Sequence, residues 1–319
     1  MNKNRLFHVK DGKTNKEKKY VLYWMQQAQR VHYNHALNHA IHVANLAQLP
    51  LVCFFGLDDT FKDANERSYA FMLEGLKEVK KTIESLGITF VLKFGKPNEV
   101  IKNYIKDAQA FIMDRGYLKI QRAWRKDLYH QIKDYEDLEI DMVDTDLVVP
   151  VCIASTKAEY GAYTIRPKIK RVYHSYRDFN RLSVIKNKTK IDISSDDDLE
   201  DIDALVNKLD IDHSVPKSTL YKGGYRAASQ LFSKFIDEKS DNYPMSNDPS
   251  TDYTSLMSMY LHFGQISSLE ILERLYLALE QGHLKGESFD QYIEQLLIRR
   301  ELAFNYVFYT KGYDEFETM

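Results

Sequence analysis

Cysteine is nearly missing from this chain: Cys53 and Cys152 are the two in 319 residues, so no disulfide framework holds the fold. They lie in the apolar runs 51–55 and 148–153, where both read as buried small hydrophobes in strands. No apolar run approaches the ~18 residues that a membrane span needs. The first nineteen residues, MNKNRLFHVKDGKTNKEKK, are charged and lack the apolar core of a secretion signal. Together these absences lead us to expect a reducing, cytoplasmic compartment and no membrane partner. An excess of one charge is missing too. The formal net charge is -2, so no global basic footprint for nucleic acid exists, although a local basic face remains open. Finally, QQAQRV at 26–31, the turn after the first apolar run, has no glycine-rich fingerprint. A dinucleotide with its pyrophosphate on the helix that follows is not expected there.

What is present is an alternation. Apolar runs at 20–25, 49–57, 88–94, 108–113 and 139–149 read as strands. Helical spacing fills the gaps at 31–46, 68–86, 98–105 and 118–132. In the second of these, Phe71, Met72, Leu76, Val79 and Ile83 form one core-facing stripe. Such βα units predict a parallel, Rossmann-like sheet covered by helices, with ligands outside the carboxyl ends of its strands. The pattern changes after about residue 166. The polar stretch 187–203, ending in SSDDDLEDID, reads as a solvated linker or a helix start. Helical patterns return at 226–236, 256–263, 269–279 and 291–308. The fold class is therefore α/β at 1–166, a long connector at 167–213 and an all-helical part at 214–319. Length also suggests about two domains, and no internal repeat is evident.

Several groups could carry chemistry. His32, His35, His39 and His42 recur at spacings of three, four and three and share one helix face. Imidazoles so spaced can bind a metal. Asn34, Asn38 and Asn45 instead suggest a polar, solvated side, and no cysteine or carboxylate is fixed nearby, so no metal is expected. Asp114 reads equally as a ligand-facing acid at a strand end or as the N-cap of the next helix. Arg122, Trp124 and Arg125 read as a surface cluster. The segment 254–267, TSLMSMYLHFGQIS, offers the hydroxyls of Thr254, Ser255 and Ser258 at a helix start, beside the rings of Tyr243 and Tyr260. It fits a phosphate cradle and a simple helix cap equally well. An aromatic share of 13%, mostly tyrosine and phenylalanine, suits flat-ring ligands as well as cores.

Ordered motifs give these pieces a context. They are YWMQQAQR and YNHAL within 23–37, FMLEGLKEV at 71–79, DRGYLKIQRAWR at 114–125 and VDTDLVVPV at 143–151. EYGAYTIRPKI at 159–169, GGYRAA at 223–228, NDPS at 247–250, SMYLHFGQIS at 258–267 and RRELAFNYVFY at 299–309 follow. Over nearly its whole length the chain resembles the class II cyclobutane-pyrimidine-dimer DNA photolyases of the photolyase/cryptochrome family. The resemblance implies an antenna-type α/β domain, a connector and a helical FAD domain. It implies light-dependent repair of pyrimidine dimers in DNA by a carbon–carbon lyase, acting as a monomer. It assigns Tyr243, Thr254, Ser255, Met257, Ser258 and Arg300 to FAD, and Ser246, Gln295 and Arg299 to the DNA side. A second, antenna chromophore of unknown identity would sit in the α/β cleft.

Departures from the family pattern are specific. Ser246 stands where the family has Arg, Met259 where it has Pro, and Gln295 where it has Glu. In some relatives the position of Arg299 holds Trp, and in other class II members Arg. The family also continues past the helix that contains Arg300. On that comparison the chain is expected to be C-terminally truncated. Its helical FAD part would be incomplete, its catalytic residues would fall beyond Met319, and FAD would be held weakly or not at all. Trp24 and Trp124 both lie in the first domain, so no tryptophan chain fits within the helical part. The apolar faces of helices 269–279 and 291–308 should then be bare. A flavin- or antenna-binding photoreceptor related to cryptochromes, or an inactive fragment, is the alternative. A general α/β nucleotide-binding protein ranks last for want of a phosphate-binding turn.

Overall fold

In the computed structural model, which describes residues 2–179 and 181–315, every expected strand forms, and a sixth joins them. The strands are β1 Leu6–Lys10, β2 Tyr20–Trp24, β3 Leu51–Leu57, β4 Thr89–Phe94, β5 Ala108–Asp114 and β6 Glu139–Val143. Their order across the sheet is β1-β6-β5-β2-β3-β4. All neighbours run parallel except β1, which is antiparallel to β6. The sequence hides β1 because none of its residues is fully buried and it shows no apolar alternation. Parallel strands covered on both faces become continuous apolar runs, and β2 and β3 are buried at every position.

Helices α1 His35–Ala47 and α2 Glu66–Ser85 cover one face, against Val21, Tyr23, Cys53 and Leu92. Helices α3 Pro97–Ile105 and α4 Lys119–Ile132 cover the other, against Tyr20, Leu22, Trp24, Phe54 and Phe111. Asn34 and Asn65 cap α1 and α2, their side chains accepting from the backbone N–H of Leu37 and Ser68. The first cap shortens α1: residues 31–34, read as helix, lie outside it.

The last predicted strand ends early. Residues 144–149 leave the sheet because their backbone donors find another acceptor. Val148 N–H and Val149 N–H donate to Glu301 Oε1 at 2.8 and 3.2 Å. Buried Arg5 clamps the same loop through the carbonyls of Leu147 and Val148 at 2.8 and 2.6 Å. Cys152 therefore lies in the short helix α5 Val151–Ala154, half-buried, and not in a strand. Cys53 is buried in β3, as expected.

The remaining elements are α6 Ala162–Val172, α7 Ile202–Val206, α8 Tyr225–Glu238, α9 Ser258–His262, α10 Ser268–Glu280, α11 Gly286–Ile293 and α12 Arg300–Tyr309. A π-helical stretch, Glu294–Arg299, joins the last two. The polar stretch read as a solvated linker is bound to the sheet. Ser195 Oγ accepts from Leu92 N–H at 3.0 Å and Asp196 Oδ2 from Phe94 N–H at 2.9 Å. It thereby covers the free edge of β4, which would otherwise offer unpaired donors to another chain. Leu199, Leu205 and Val206 complete the core under α2. Helix α10 is not bare: Leu269, Ile271, Leu272, Leu275 and Ala278 are buried. In α12 Phe304, Val307 and Phe308 are partly buried against Tyr117, Leu147 and Val151. Among the described residues no helix is long and apolar enough to cross a membrane.

Candidate functional site

A cavity of about 930 Å³ opens between the carboxyl ends of β2 and β3 and the helical half. Its sheet side is formed by Trp24, Phe55, Asp58, Phe61 and Trp124, and its helical side by Tyr243, Ser255, Met257, Ser258, Gln295 and Arg300. A crevice at strand carboxyl ends beside a change of strand order is where ligands enter open α/β sheets. Here β2 has β5 on one side and β3 on the other. The size lies at the upper end of small-molecule sites.

Asp114 shapes this end of the sheet but does not face a ligand. It is fully buried, and its oxygens accept from Gln26 N–H at 3.0 Å and Ala28 N–H at 2.6 Å. Helix α4 is capped by Leu118, so the N-cap reading fails as well. Burial pushes the Asp114 carboxyl up to about 6, against those two backbone bonds. Arg125 is no surface group either: it donates to Gly116 O at 2.5 Å and Gln26 Oε1 at 3.4 Å. Trp124 turns to the cavity and meets Phe61 edge-on, while Arg122 lies over Phe308.

On the helical side the sequence-assigned residues divide. Tyr243 is buried in the 3₁₀ turn Ser240–Met245, its ring 4.9 Å from that of Tyr292. Burial raises its phenol to about 12, so it presents a neutral face. Ser255 Oγ is 2.7 Å from Tyr292 Oη, which already occupies that hydroxyl. Leu256 is left-handed, with φ of 57°, a strained turn for a branched residue. It delivers buried Met257 and exposed Ser258 to the cavity. Arg300 lines it too, but its guanidinium pairs with Asp146 Oδ1 at 3.0 Å and lies over Phe304. Gln295 reaches the cavity from the π-helical stretch, a widening of the helix often found at functional sites. Three assigned residues fall outside the lining. Thr254 is exposed, half-buried Ser246 closes the 3₁₀ turn through its N–H to Tyr243 O, and Arg299 is exposed beside Glu294.

The segment 254–267 thus has two jobs, and only its first part faces the cavity. The second part is a seam between the halves. Gly264 has φ of 66°, and a Cβ there would sit 2.0 Å from Gln27 O. Its carbonyl accepts from fully buried Arg30 at 3.0 Å. Gln265 accepts from Gly224 N–H at 2.7 Å and donates to Phe71 O at 3.0 Å. Ser267 caps α10. The histidines also separate. His32 precedes α1 and stacks on Tyr225 at 4.0 Å, His35 is buried against Phe179, His39 meets Asp141, and His42 is exposed. They share neither one environment nor a solvated side.

Sequence reasoning did not find the sheet-side wall. Trp24, Phe55 and Trp124 read there as core or surface, because only the packing of the second half against strand ends makes them a lining. The wall carries a mark of its own. Trp24 Nε1, Gln26 Nε2 and Gln29 Oε1 are buried without a hydrogen-bond partner among the described residues, and all three residues line the cavity. Orphaned buried donors and acceptors around an aromatic pocket fit a flat ligand with a polar edge, such as a flavin or a related heterocycle.

Comparison with known proteins agrees with this layout. Residues 21–186 match the family model described as DNA photolyase. The chain is 38% identical over 296 residues to the deoxyribodipyrimidine photo-lyase of Methanothermobacter thermautotrophicus, covering 92% of this chain and 62% of that one. Among solved structures, the class III photolyase of Agrobacterium tumefaciens superimposes with a TM-score of 0.70 at 18% identity, over 93% of this chain and 60% of that one. The archaeal photolyase of Sulfolobus tokodaii, described with two FAD molecules, gives 0.67 at 16%, over 91% and 60%. These two likenesses are of fold. The chain spans less than two thirds of the length of each.

Proposed function

Because the chain belongs to the DNA photolyase family, we propose that it serves light-dependent repair of cyclobutane pyrimidine dimers in DNA, in the class II manner, with FAD in the cavity described above. What supports the reading is the convergence of Tyr243, Ser255, Met257, Ser258, Gln295 and Arg300, from three separate segments, on one aromatic cavity at the strand ends. Tyr243, Met257 and Tyr292 would offer the apolar floor, and Ser255 and Ser258 the hydroxyls. Bound reduced FAD supplies the light-driven electron for ring splitting.

The chain's own residues prepare the surroundings. Asp146 holds the Arg300 guanidinium, and Tyr292 holds the Ser255 hydroxyl, so of the polar groups on this wall the exposed Ser258 hydroxyl would be the one free to meet a phosphate of FAD. Gln295 can hydrogen-bond a flipped base but not carry the charge of a carboxylate. Arg299, exposed next to the cavity-lining Arg300, would offer its guanidinium to a DNA phosphate. The sheet-side end, with Trp24, Phe61 and Trp124, is where a second chromophore would sit.

Ser246 and Gln295, which stand in place of Arg and Glu, favour a photoreceptor as the second reading. Blue-light repair of a dimer-containing oligonucleotide by FAD-reconstituted protein separates the two. Repair that drops at least tenfold in Gln295→Ala, with FAD affinity retained, is expected. Stoichiometric FAD without any repair would leave the photoreceptor reading standing.

A further inference from the structure

Away from the cavity, the antiparallel pair of β1 and β6 brings His8 directly opposite Asp141. Glu139 lies two residues before Asp141 on the same strand, and so on the same face. One ligand atom from each of His8, Glu139 and Asp141 falls within 4.8 Å of the others. We propose that these three side chains form a binding site for one divalent transition metal ion of the zinc class, which clips the edge strand β1 to the sheet.

The surroundings have the form that metal ligands need. His8 Nδ1 is 2.8 Å from Asp141 Oδ1, while its other ring nitrogen is 3.0 Å from Asp11 Oδ1. Asp141 is nearly buried, and its second oxygen accepts from His39 Nε2 at 2.7 Å. With an ion between His8 Nδ1, Asp141 Oδ1 and Glu139, each of the first two ligands keeps an outer partner that orients it: Asp11 for His8 and His39 for Asp141. The ion takes the place of the proton shared by His8 and Asp141, which leaves to solvent. One imidazole, two carboxylates and an open, half-exposed side suit Zn²⁺ with water as the remaining ligand. Of the four histidines singled out near α1, His39 alone takes part, and only as the outer partner of Asp141. The sequence reading did not find this site, because its ligands come from β1 and β6, which only the sheet brings together. The clip would add to the β1–β6 ladder, on a strand whose five residues bring little buried apolar surface of their own.

The test uses the full chain without an affinity tag, stripped with a chelator and titrated calorimetrically with ZnCl₂. One ion per chain is expected, with a rise in Tm on binding. His8→Ala and Glu139→Gln should each weaken binding at least tenfold with unchanged circular dichroism. His42→Ala, an exposed histidine further along α1, should bind as the parent does. Co²⁺ should give the visible absorption of a nitrogen- and oxygen-ligated ion, lost in His8→Ala. Absence of stoichiometric uptake overturns the site. So does uptake that His8→Ala and Glu139→Gln leave unchanged, since the ion would then be held elsewhere.

Discussion

Glu301 shows how one buried side chain can tie the two halves together and make their union depend on pH. It is 2% exposed and accepts from the backbone of Val148 and Val149. Burial pushes its carboxyl from an ordinary 4.5 up to about 8. A folded value raised above the unfolded one gives stability that is full below about pH 4.5 and lost as pH rises through about 8. Thermal melts should therefore fall from pH 6 to pH 9. Glu301→Gln keeps the acceptor oxygen and should flatten that fall, recovering about 2–4 kcal/mol at pH 9. A slope unchanged in the variant would place the titrating group elsewhere. Asp114 makes a second case, because its removal strands two buried N–H groups. Asp114→Ala should cost about 1–3 kcal/mol in denaturant unfolding. Neither role was legible in the sequence. Arg5, Arg30 and Glu301 look like ordinary surface charges, and Asp114 like a ligand-facing acid or an N-cap, until the loops whose backbone they satisfy are known.

At the scale of elements, the regular parts were legible and the irregular ones were not. Strands β2 to β5 and helices α1 to α4 follow from apolar runs and helical spacing, because a sheet covered on both faces buries whole strands. Strand β1 has no such signal, and residues 144–149 carry a false one: apolar and extended, they bond to Glu301 and Arg5 instead of a strand. The hydroxyl-rich segment was noticed but read as one piece, when its Gly-Gln half is the seam. Gly264→Ala should test that seam. A Cβ at a left-handed residue 2.0 Å from Gln27 O should cost about 2 kcal/mol or more. Gly282→Ala, also left-handed but with nothing within 4 Å, should cost less. Equal losses would mean that strain, not the seam, sets the effect. The connector makes its own prediction. Removing Ser195 Oγ and the Asp196 carboxylate together uncovers two donors of β4, and light scattering on heating should rise earlier than in the parent.

For the whole molecule, function depends on what lies between the α/β half and the helical half, whose cores share residues such as Phe71, Val148 and Val149. The sheet ends supply Trp24, Phe55, Phe61 and Trp124, and the helical half supplies Tyr243, Met257, Gln295 and Arg300. Family resemblance pointed to the second set, and also to Ser246, Thr254 and Arg299, which lie off the cavity. The first set had no sequence signal, since a strand end reads alike whether it faces solvent or another domain. The central claim is that this shared cavity holds FAD. Its most direct measurement is a titration of the full chain with FAD, followed by quenching of flavin fluorescence. One FAD per chain in the micromolar range is predicted, at least tenfold weaker in Tyr243→Ala and unchanged in Arg299→Ala. Failure to saturate, or equal binding by Tyr243→Ala and the parent, would contradict it.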